Sequence, residues 1–267
     1  MPSETPQPRE VLPDVWWLGD CLTVTFQGQP LHNGNWAFLI RGSDASMIVE
    51  GGAPLHVPNL QRQLAELLRG APELRYIWAS HQETPHAGGV GRLLAEYPSA
   101  QLVGDVRDYH FYFPQFEDRL RPLAAGESID LGDTQLTIVE AVIRDLPTTQ
   151  WAFDSRRRAL FTSDGFAFSH LHSDGQCRKV TEEVPTLPIE ELTGLFAELA
   201  LEWTTVVDIE PYVERMQRLL DELGVETILP SHGLPILDVA RTVPKVYEGI
   251  RLGSRGESSG VDYTKLT

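Results

Sequence analysis

The stretch that decides the fold is YIWASHQETPHAGG, residues 76–89. Its apolar start is typical of a short buried strand. His81, Glu83 and His86 then occur within six residues, just ahead of a Gly-Gly pair. A single histidine at a strand end is more often an ordinary polar residue than a ligand, but three donors in one tight loop indicate a metal site. The glycines let the backbone turn sharply, so we expect a helix to begin close to the strand.

The sequence on both sides of this loop predicts a mixed α/β fold. The first half has β-type runs at 15–18 and 21–26, which are typical of paired strands, and two more at 36–40 and 46–49, which are joined by hairpin-turn residues. Helical spacing of apolar residues then alternates with short strands. The predicted helices cover 59–69, 86–97, 189–201, 211–223 and 236–252, and the strands cover 74–79, 101–104, 134–143, 159–162 and 227–229.

The polar residues that follow these strands resemble, in their order, the metallo-β-lactamase superfamily. Glu50 comes before two glycines, the histidine-rich loop is next, then Asp164 after a strand, and finally His232 in a Pro-Ser-His-Gly stretch. The resemblance covers almost the whole chain and implies an α/β fold, a four-layer αββα sandwich. The superfamily's hydrolases carry His-x-His-x-Asp-His in the loop, whereas the glutamate at position 83 is similar to flavodiiron proteins and stand-alone oxygen-binding diiron proteins.

Carried over position by position, the resemblance implies a centre of two metals. His81 and Glu83 would bind one metal, His86 and His232 the other, and Asp164 would bridge them. A set rich in carboxylates suits iron, because hard oxygen ligands stabilise the oxidised cation. Two iron ions are therefore expected, with a single ion and zinc as the alternatives.

Two positions depart from the flavodiiron pattern. Pro85 stands where the family has an aspartate, so one metal loses a carboxylate. Asp145 lies near the place of a family histidine, and we expect it to be the substitute ligand; an aspartate that only starts a turn is the alternative. His32 precedes a core strand where the fold brings a loop near the metals. His32 either donates a hydrogen bond to a metal-ligating side chain or contacts the substrate. The alternative is an ordinary loop histidine.

Composition excludes some partners. The 22 lysines and arginines against 38 acidic residues give a net charge of −16, which repels a phosphate backbone, so nucleic acid is not an expected partner. The two cysteines are too few for a disulfide framework. No run approaches the roughly 18 apolar residues of a membrane span, and the N-terminus is polar. We therefore expect a cytoplasmic protein without a membrane partner.

The chain is predicted to form one domain, residues 11–252, between a flexible N-terminal arm, residues 1–10, and a polar C-terminal tail, residues 253–267. The aromatic run at 109–116 has three interpretations: a lid over the metals, an oligomer contact or a buried helix contact. Together with the family resemblance it favours a homodimer.

Three functions are compatible with these residues. The favoured function is that of an enzyme, a non-haem diiron oxidoreductase that binds or activates O₂ or NO. In one form of this hypothesis the enzyme also oxidises a small molecule. Because the last helix ends near residue 252, neither a flavodoxin-like domain nor FMN is expected, and an external donor or the substrate would supply electrons. The alternative is a metal-dependent hydrolase of an ester, lactone or thioester. Pro85 weakens it, since in these hydrolases the missing aspartate orients the attacking hydroxide. The third is a metal-poor binding protein.

Overall fold

Two β-sheets form the centre of the protein, in a computed structural model that describes residues 7–26, 28–169 and 178–258. The first sheet has seven strands in sequence order: β1 (Arg9–Leu12), β2 (Val15–Phe26), β3 (Gln29–Arg41), β4 (Ser46–Val49), β5 (Leu74–Trp78), β6 (Gln101–Gly104) and β7 (Leu120–Pro122). The first four strands pair antiparallel, and β4 to β7 pair parallel.

The second sheet has five strands: β8 (Ser128–Asp130), β9 (Gln135–Glu140), β10 (Gln150–Asp154), β11 (Ala159–Ser163) and β12 (Thr227–Pro230). Their spatial order is β12-β11-β10-β9-β8, and β11 and β12 are parallel. The α-helices among the described residues are α1 (Val57–Leu67), α2 (Thr84–Ala87), α3 (Val90–Glu96), α4 (Tyr109–Tyr112), α5 (Ile189–Ala200), α6 (Glu210–Leu223) and α7 (Val239–Ser254).

Two hydrophobic clusters arrange these elements in four layers. Because side chains alternate along a strand, Phe38 and Ile40 of β3 face the second sheet, while Leu39 faces α1 and α3. Phe38 meets Phe161 of the opposite sheet with ring centroids 5.6 Å apart. The other face of the second sheet packs against α5, α6 and α7. The predicted αββα sandwich is confirmed.

The largest difference from the predicted elements lies at the N-terminal hairpin. Two strands were expected around 15–18 and 21–26, but β2 is one strand that pairs with β3 along its whole length. The helix predicted at 86–97 is divided into α2 and α3 at Gly88 and Gly89. A Cβ at Gly89 would lie 2.2 Å from the carbonyl oxygen of Gly51, so this helix does begin in close contact with the strand loop.

The structured part extends slightly beyond the predicted domain at both ends. Strand β1 begins at Arg9, inside the range predicted as an arm, and α7 continues to Ser254, inside the predicted tail. Within these two predicted segments, residues 1–6 and 259–267 lie outside the described residues. Within the described ranges, none of the helices has the length and apolarity needed to cross a membrane.

Candidate metal centre

The loops after four strands meet at one edge of the sandwich. Glu50 follows β4, the histidine-rich loop follows β5, Asp164 follows β11, and His232 lies just beyond β12. Since β4 and β5 are parallel, as are β11 and β12, the carboxyl ends of each pair lie side by side. Backbone hydrogen bonds join the loops, among them one from Ser231 N to the Ser163 carbonyl at 3.0 Å. The fold thus gathers residues far apart in sequence.

The first half of the centre surrounds His81. Its Nε2 lies 3.2 Å from Asp145 Oδ2, 3.5 Å from Glu83 Oε2 and 3.8 Å from Asp164 Oδ2. Thr149 Oγ1 donates a 2.9 Å hydrogen bond to the other oxygen of Asp145 and so fixes this carboxylate. Asp145 therefore points into the cluster instead of only starting a turn.

The second half of the centre is formed by His86 and His232, whose Nε2 atoms are 3.2 Å apart. Both nitrogens face Asp164 Oδ1, at 3.6 Å and 3.5 Å respectively. Asp164 therefore directs one oxygen to each half, which is the arrangement of a bridging carboxylate. The six predicted ligands all converge here, and the donor atoms of four of them lie within 4.8 Å of one another: His81, Glu83, His86 and Asp164.

Each histidine has a hydrogen-bond partner at Nδ1 that leaves Nε2 available. His81 Nδ1 lies 3.0 Å from the Ser80 hydroxyl and 3.1 Å from that of Ser163. His86 Nδ1 lies 3.2 Å from Glu50 Oε1, and His232 Nδ1 contacts the Gly34 carbonyl. Such partners fix the ring orientation and the tautomer of metal-ligating histidines.

Glu50 is the supporting residue whose role was not predicted. It is fully buried, and it accepts hydrogen bonds from Ser80 N at 3.1 Å and from the Ser231 hydroxyl at 2.9 Å. Burial opposes its ionisation, but the attraction of His86 and the hydrogen bonds outweigh burial and lower the pKa of Glu50. Its place before two glycines was visible in the sequence, whereas its contact with His86 depends on the tertiary structure.

Changing Glu50 to Gln should therefore weaken metal binding by the second half of the centre. The neutral amide cannot hold the His86 ring as the carboxylate does, and loss of such a partner typically costs about 10–100-fold in metal affinity. Titration of the metal-free protein with Co²⁺ measures this. S231A is the matched control, because it removes one hydrogen bond to Glu50 and keeps its charge, so its effect should be smaller. Equal affinities for E50Q and wild type would contradict the assigned role.

The donor chemistry fits a metal cation. Asp164 Oδ1 is buried and has no hydrogen-bond partner among the described residues, an arrangement that is costly unless a cation satisfies it. Burial raises the pKa of Asp164 to about 6. Burial also acts to lower the pKa of His81, but hydrogen bonds with Asp145 and Glu83 outweigh this and raise it to about 10. Without metal, the carboxylates thus attract a proton to the position where a metal ion would supply positive charge.

Metal affinity should consequently depend on pH in two stages. Below the pKa of Asp164, near 6, a metal must displace protons from both Asp164 and His81. Affinity should therefore rise more steeply with pH below about 6 than above it, since each displaced proton adds a factor of about ten per pH unit. Co²⁺ titrations from about pH 5 to 8 would measure both slopes. A single slope through pH 6 would show that Asp164 does not carry the proton assigned to it.

Two other predicted positions have different outcomes. Pro85 offers only its backbone carbonyl, which accepts a 2.9 Å hydrogen bond from Asn35 Nδ2, so no carboxylate replaces the family's aspartate at this position. The backbone of His32 belongs to β3, opposite Thr23. Its side chain lies outside the described part of the structure, so its predicted contact with a ligand or substrate stays a prediction.

Comparison of the whole fold with solved structures gives clear matches. A flavodiiron protein from Giardia intestinalis superposes with a TM-score of 0.73 and 15% sequence identity, covering 94% of this chain and 60% of that one. The rubredoxin oxygen:oxidoreductase of Desulfovibrio gigas gives 0.72 and 15%, covering 92% and 61%. This chain has the metallo-β-lactamase-like fold of flavodiiron cores.

Curated relatives agree with this placement. A type A flavoprotein of Rhodobacter capsulatus is 26% identical over 265 residues, and a nitric oxide reductase of Moorella thermoacetica is 22% identical over 239. The alignments cover 90% and 85% of this chain but only 54% and 57% of those proteins, so the chain spans little more than half their length. A hydroxyacylglutathione hydrolase of Roseobacter denitrificans is 27% identical over 51% of this chain and 49% of its own length. No protein-family model matches the chain.

Proposed function

We propose that this protein is a non-haem diiron oxidoreductase that binds or activates O₂ or NO. The observation that carries the proposal is the convergence of three carboxylates with three histidines at one edge of the sandwich. Oxygen donors favour iron, whereas zinc hydrolase sites depend more on imidazole. Two similar proteins, a nitric oxide reductase and a rubredoxin oxygen:oxidoreductase, are named for the same chemistry, which supports the proposal.

In this proposal the two halves hold one iron each. His81, Glu83 and Asp145 belong to the first iron, His86 and His232 to the second, and Asp164 lies between them. Bound iron would supply electron transfer and a coordination position for a diatomic molecule.

The surrounding residues orient the donors and bury the three histidines. The carboxylates balance the cationic charge, Glu50 holds the His86 ring, and the Ser80 and Ser163 hydroxyls hold that of His81. The buried Phe196 ring lies 5.6 Å from the His232 ring and excludes water from that side.

The proposal extends to the source of electrons. The described residues form one metallo-β-lactamase-like sandwich, and a diiron centre in it needs reducing equivalents from outside the sandwich. Electrons would then reach the centre from a separate donor protein or from a small-molecule substrate. A cytoplasmic location fits a centre that must be kept reducible, and it fits the low cysteine count of the sequence.

Anaerobic reconstitution with Fe²⁺ tests the proposal. We expect about two irons per chain, a visible-region absorbance after oxidation, and consumption of O₂ or NO when a chemical reductant is present. D145N is an informative variant, because it should lower iron content without changing the fold. Stoichiometric zinc together with turnover of esters or lactones, and no reaction with O₂ or NO, would exclude the redox function.

A metal-dependent hydrolase of esters, lactones or thioesters is the second candidate. The partial similarity to a hydroxyacylglutathione hydrolase favours it. In such an enzyme a metal-activated water attacks a carbonyl and requires a group that orients it. Pro85 offers no side-chain acceptor for that role, which ranks this function below the redox one.

A homodimer is the proposed assembly. Phe111 and Tyr112 of α4 are 74% and 71% exposed, while their neighbour Tyr109 is buried. Two adjacent exposed aromatic rings are typical of residues that a partner covers. Light scattering on wild type and on the F111S/Y112S variant tests this. We expect a dimer that the variant weakens, and a monomeric wild type would contradict it.

A further inference from the structure

The Glu83 carboxylate lies between the two halves of the centre. Its Oε2 is 3.5 Å from Nε2 of His81 in the first half and 3.8 Å from Nε2 of His86 in the second. The Glu83 side chain is 50% exposed, compared with 12% for Asp145 and 3% for Asp164. Of the three carboxylates, Glu83 therefore has the most freedom to move between the halves.

Among the described residues, the second half has no carboxylate of its own. Pro85, two residues after Glu83 in the same loop, offers no side-chain carboxylate to it. This loop is held in place, because Pro85 accepts a hydrogen bond from Asn35, whose Oδ1 in turn accepts one from Ala53 N at 3.0 Å. A backbone shift that brings another acid in is therefore disfavoured.

The balance of charge between the two metals favours binding of Glu83 to both halves. If Glu83 bound only the first metal, the carboxylates of Glu83, Asp145 and Asp164 would all neutralise that metal. The only carboxylate ligand of the second metal would then be Asp164, which it shares with the first. Two divalent cations about 4 Å apart repel each other strongly, and a second carboxylate between them lowers that repulsion. Sharing Glu83 also gives the more poorly neutralised metal additional negative charge.

We propose that Glu83 is a second bridging ligand, which binds both metals and replaces for the second metal the carboxylate absent at position 85. The inference rests on the proposed two-metal centre, but it is independent of the reaction that the centre performs.

A double-mutant cycle on metal binding tests this role. Metal-free wild type, E83Q, P85D and E83Q/P85D are titrated anaerobically with Co²⁺, and both stepwise dissociation constants are measured by calorimetry and visible absorbance. P85A is the matched control, because it removes the proline ring without adding a carboxylate. Circular dichroism and thermal unfolding verify that each variant is folded.

We expect E83Q to weaken both binding steps, each by about tenfold or more. P85D should strengthen the second step by a larger factor in the E83Q background than in wild type, because the new aspartate then replaces a missing ligand. P85A should produce neither effect. These results would also hold if the protein were a hydrolase, so they are separable from the redox proposal.

Two outcomes would overturn the inference. If E83Q weakens one step only, and the effects of E83Q and P85D are additive, Glu83 is a ligand of a single metal. If wild type binds one Co²⁺ or none, the two-metal centre itself is wrong, and Glu83 bridges nothing. The first outcome leaves the proposed diiron function in place, whereas the second removes it together with the bridge.

Discussion

Changing Asp164 to Asn should abolish metal binding and at the same time stabilise the metal-free protein. Asp164 is the residue whose two oxygens face different halves, so the substitution affects both metals. A neutral amide replaces the shared anionic ligand, and we expect affinity to fall by more than the roughly 100-fold upper value for residues that only support a ligand.

The gain in stability follows from the raised pKa of Asp164. Burial raises it from 3.8 to about 6, so the folded metal-free protein holds the ionised form unfavourably. Two pKa units correspond to about 3 kcal/mol of unfolding free energy. This cost is absent below pH 3.8, develops as the pH rises toward 6, and is complete above that value. D164N removes the cost, so its advantage should be present at pH 7.5 and absent near pH 4.

Thermal unfolding in chelator and in excess Co²⁺ measures both effects. With chelator at neutral pH, D164N should unfold at a higher temperature than wild type; with Co²⁺, the order should reverse, because only wild type is stabilised by the bound metal. D221N, on the exposed end of α6, is a matched control that should change neither midpoint. If D164N retained the Co²⁺ stabilisation of wild type, Asp164 could not be a shared ligand.

Much of the fold could be predicted because its elements carry local signals. The helical spacing of α1, α5, α6 and α7 predicted each within a few residues, and the hairpin between β3 and β4 was marked by turn residues. Strands β1, β7, β8 and β10 were missed. The first three are too short to show a clear alternation of side chains, and β10 is buried along almost its whole length, so it shows none. The continuous β2 was also missed, because Gly19 and Asp20 in its middle resemble a break.

The candidate site was predictable where the sequence alone brings donors together. His81, Glu83 and His86 share one loop, so their proximity did not depend on the tertiary structure. Asp145 was identified by its place in the order of motifs, and only the packed structure shows its carboxylate 3.2 Å from His81. The contact between Glu50 and His86 joins residues 36 positions apart and has no local signal. Long-range geometry of this kind requires the folded chain.

Changing Glu83 to His should shift the protein from iron to zinc. The substitution recreates the His-x-His spacing of the superfamily's hydrolases and removes an oxygen donor from the first half. Imidazole suits zinc, whereas the lost carboxylate stabilises oxidised iron. In cells supplied equally with both metals, we expect wild type to be purified with mostly iron and E83H with mostly zinc, as measured by elemental analysis.

A matched control separates the added imidazole from the lost carboxylate. Gln82 is the neighbouring residue in the same loop, so Q82H adds a histidine without removing Glu83. Q82H should keep its iron, whereas E83H should lose it together with the visible absorbance of the oxidised centre. If both variants retained iron equally, the glutamate would not select the metal. The inference from Glu83 to redox chemistry would then be wrong, whereas the fold and the cluster of donor residues would be unaffected.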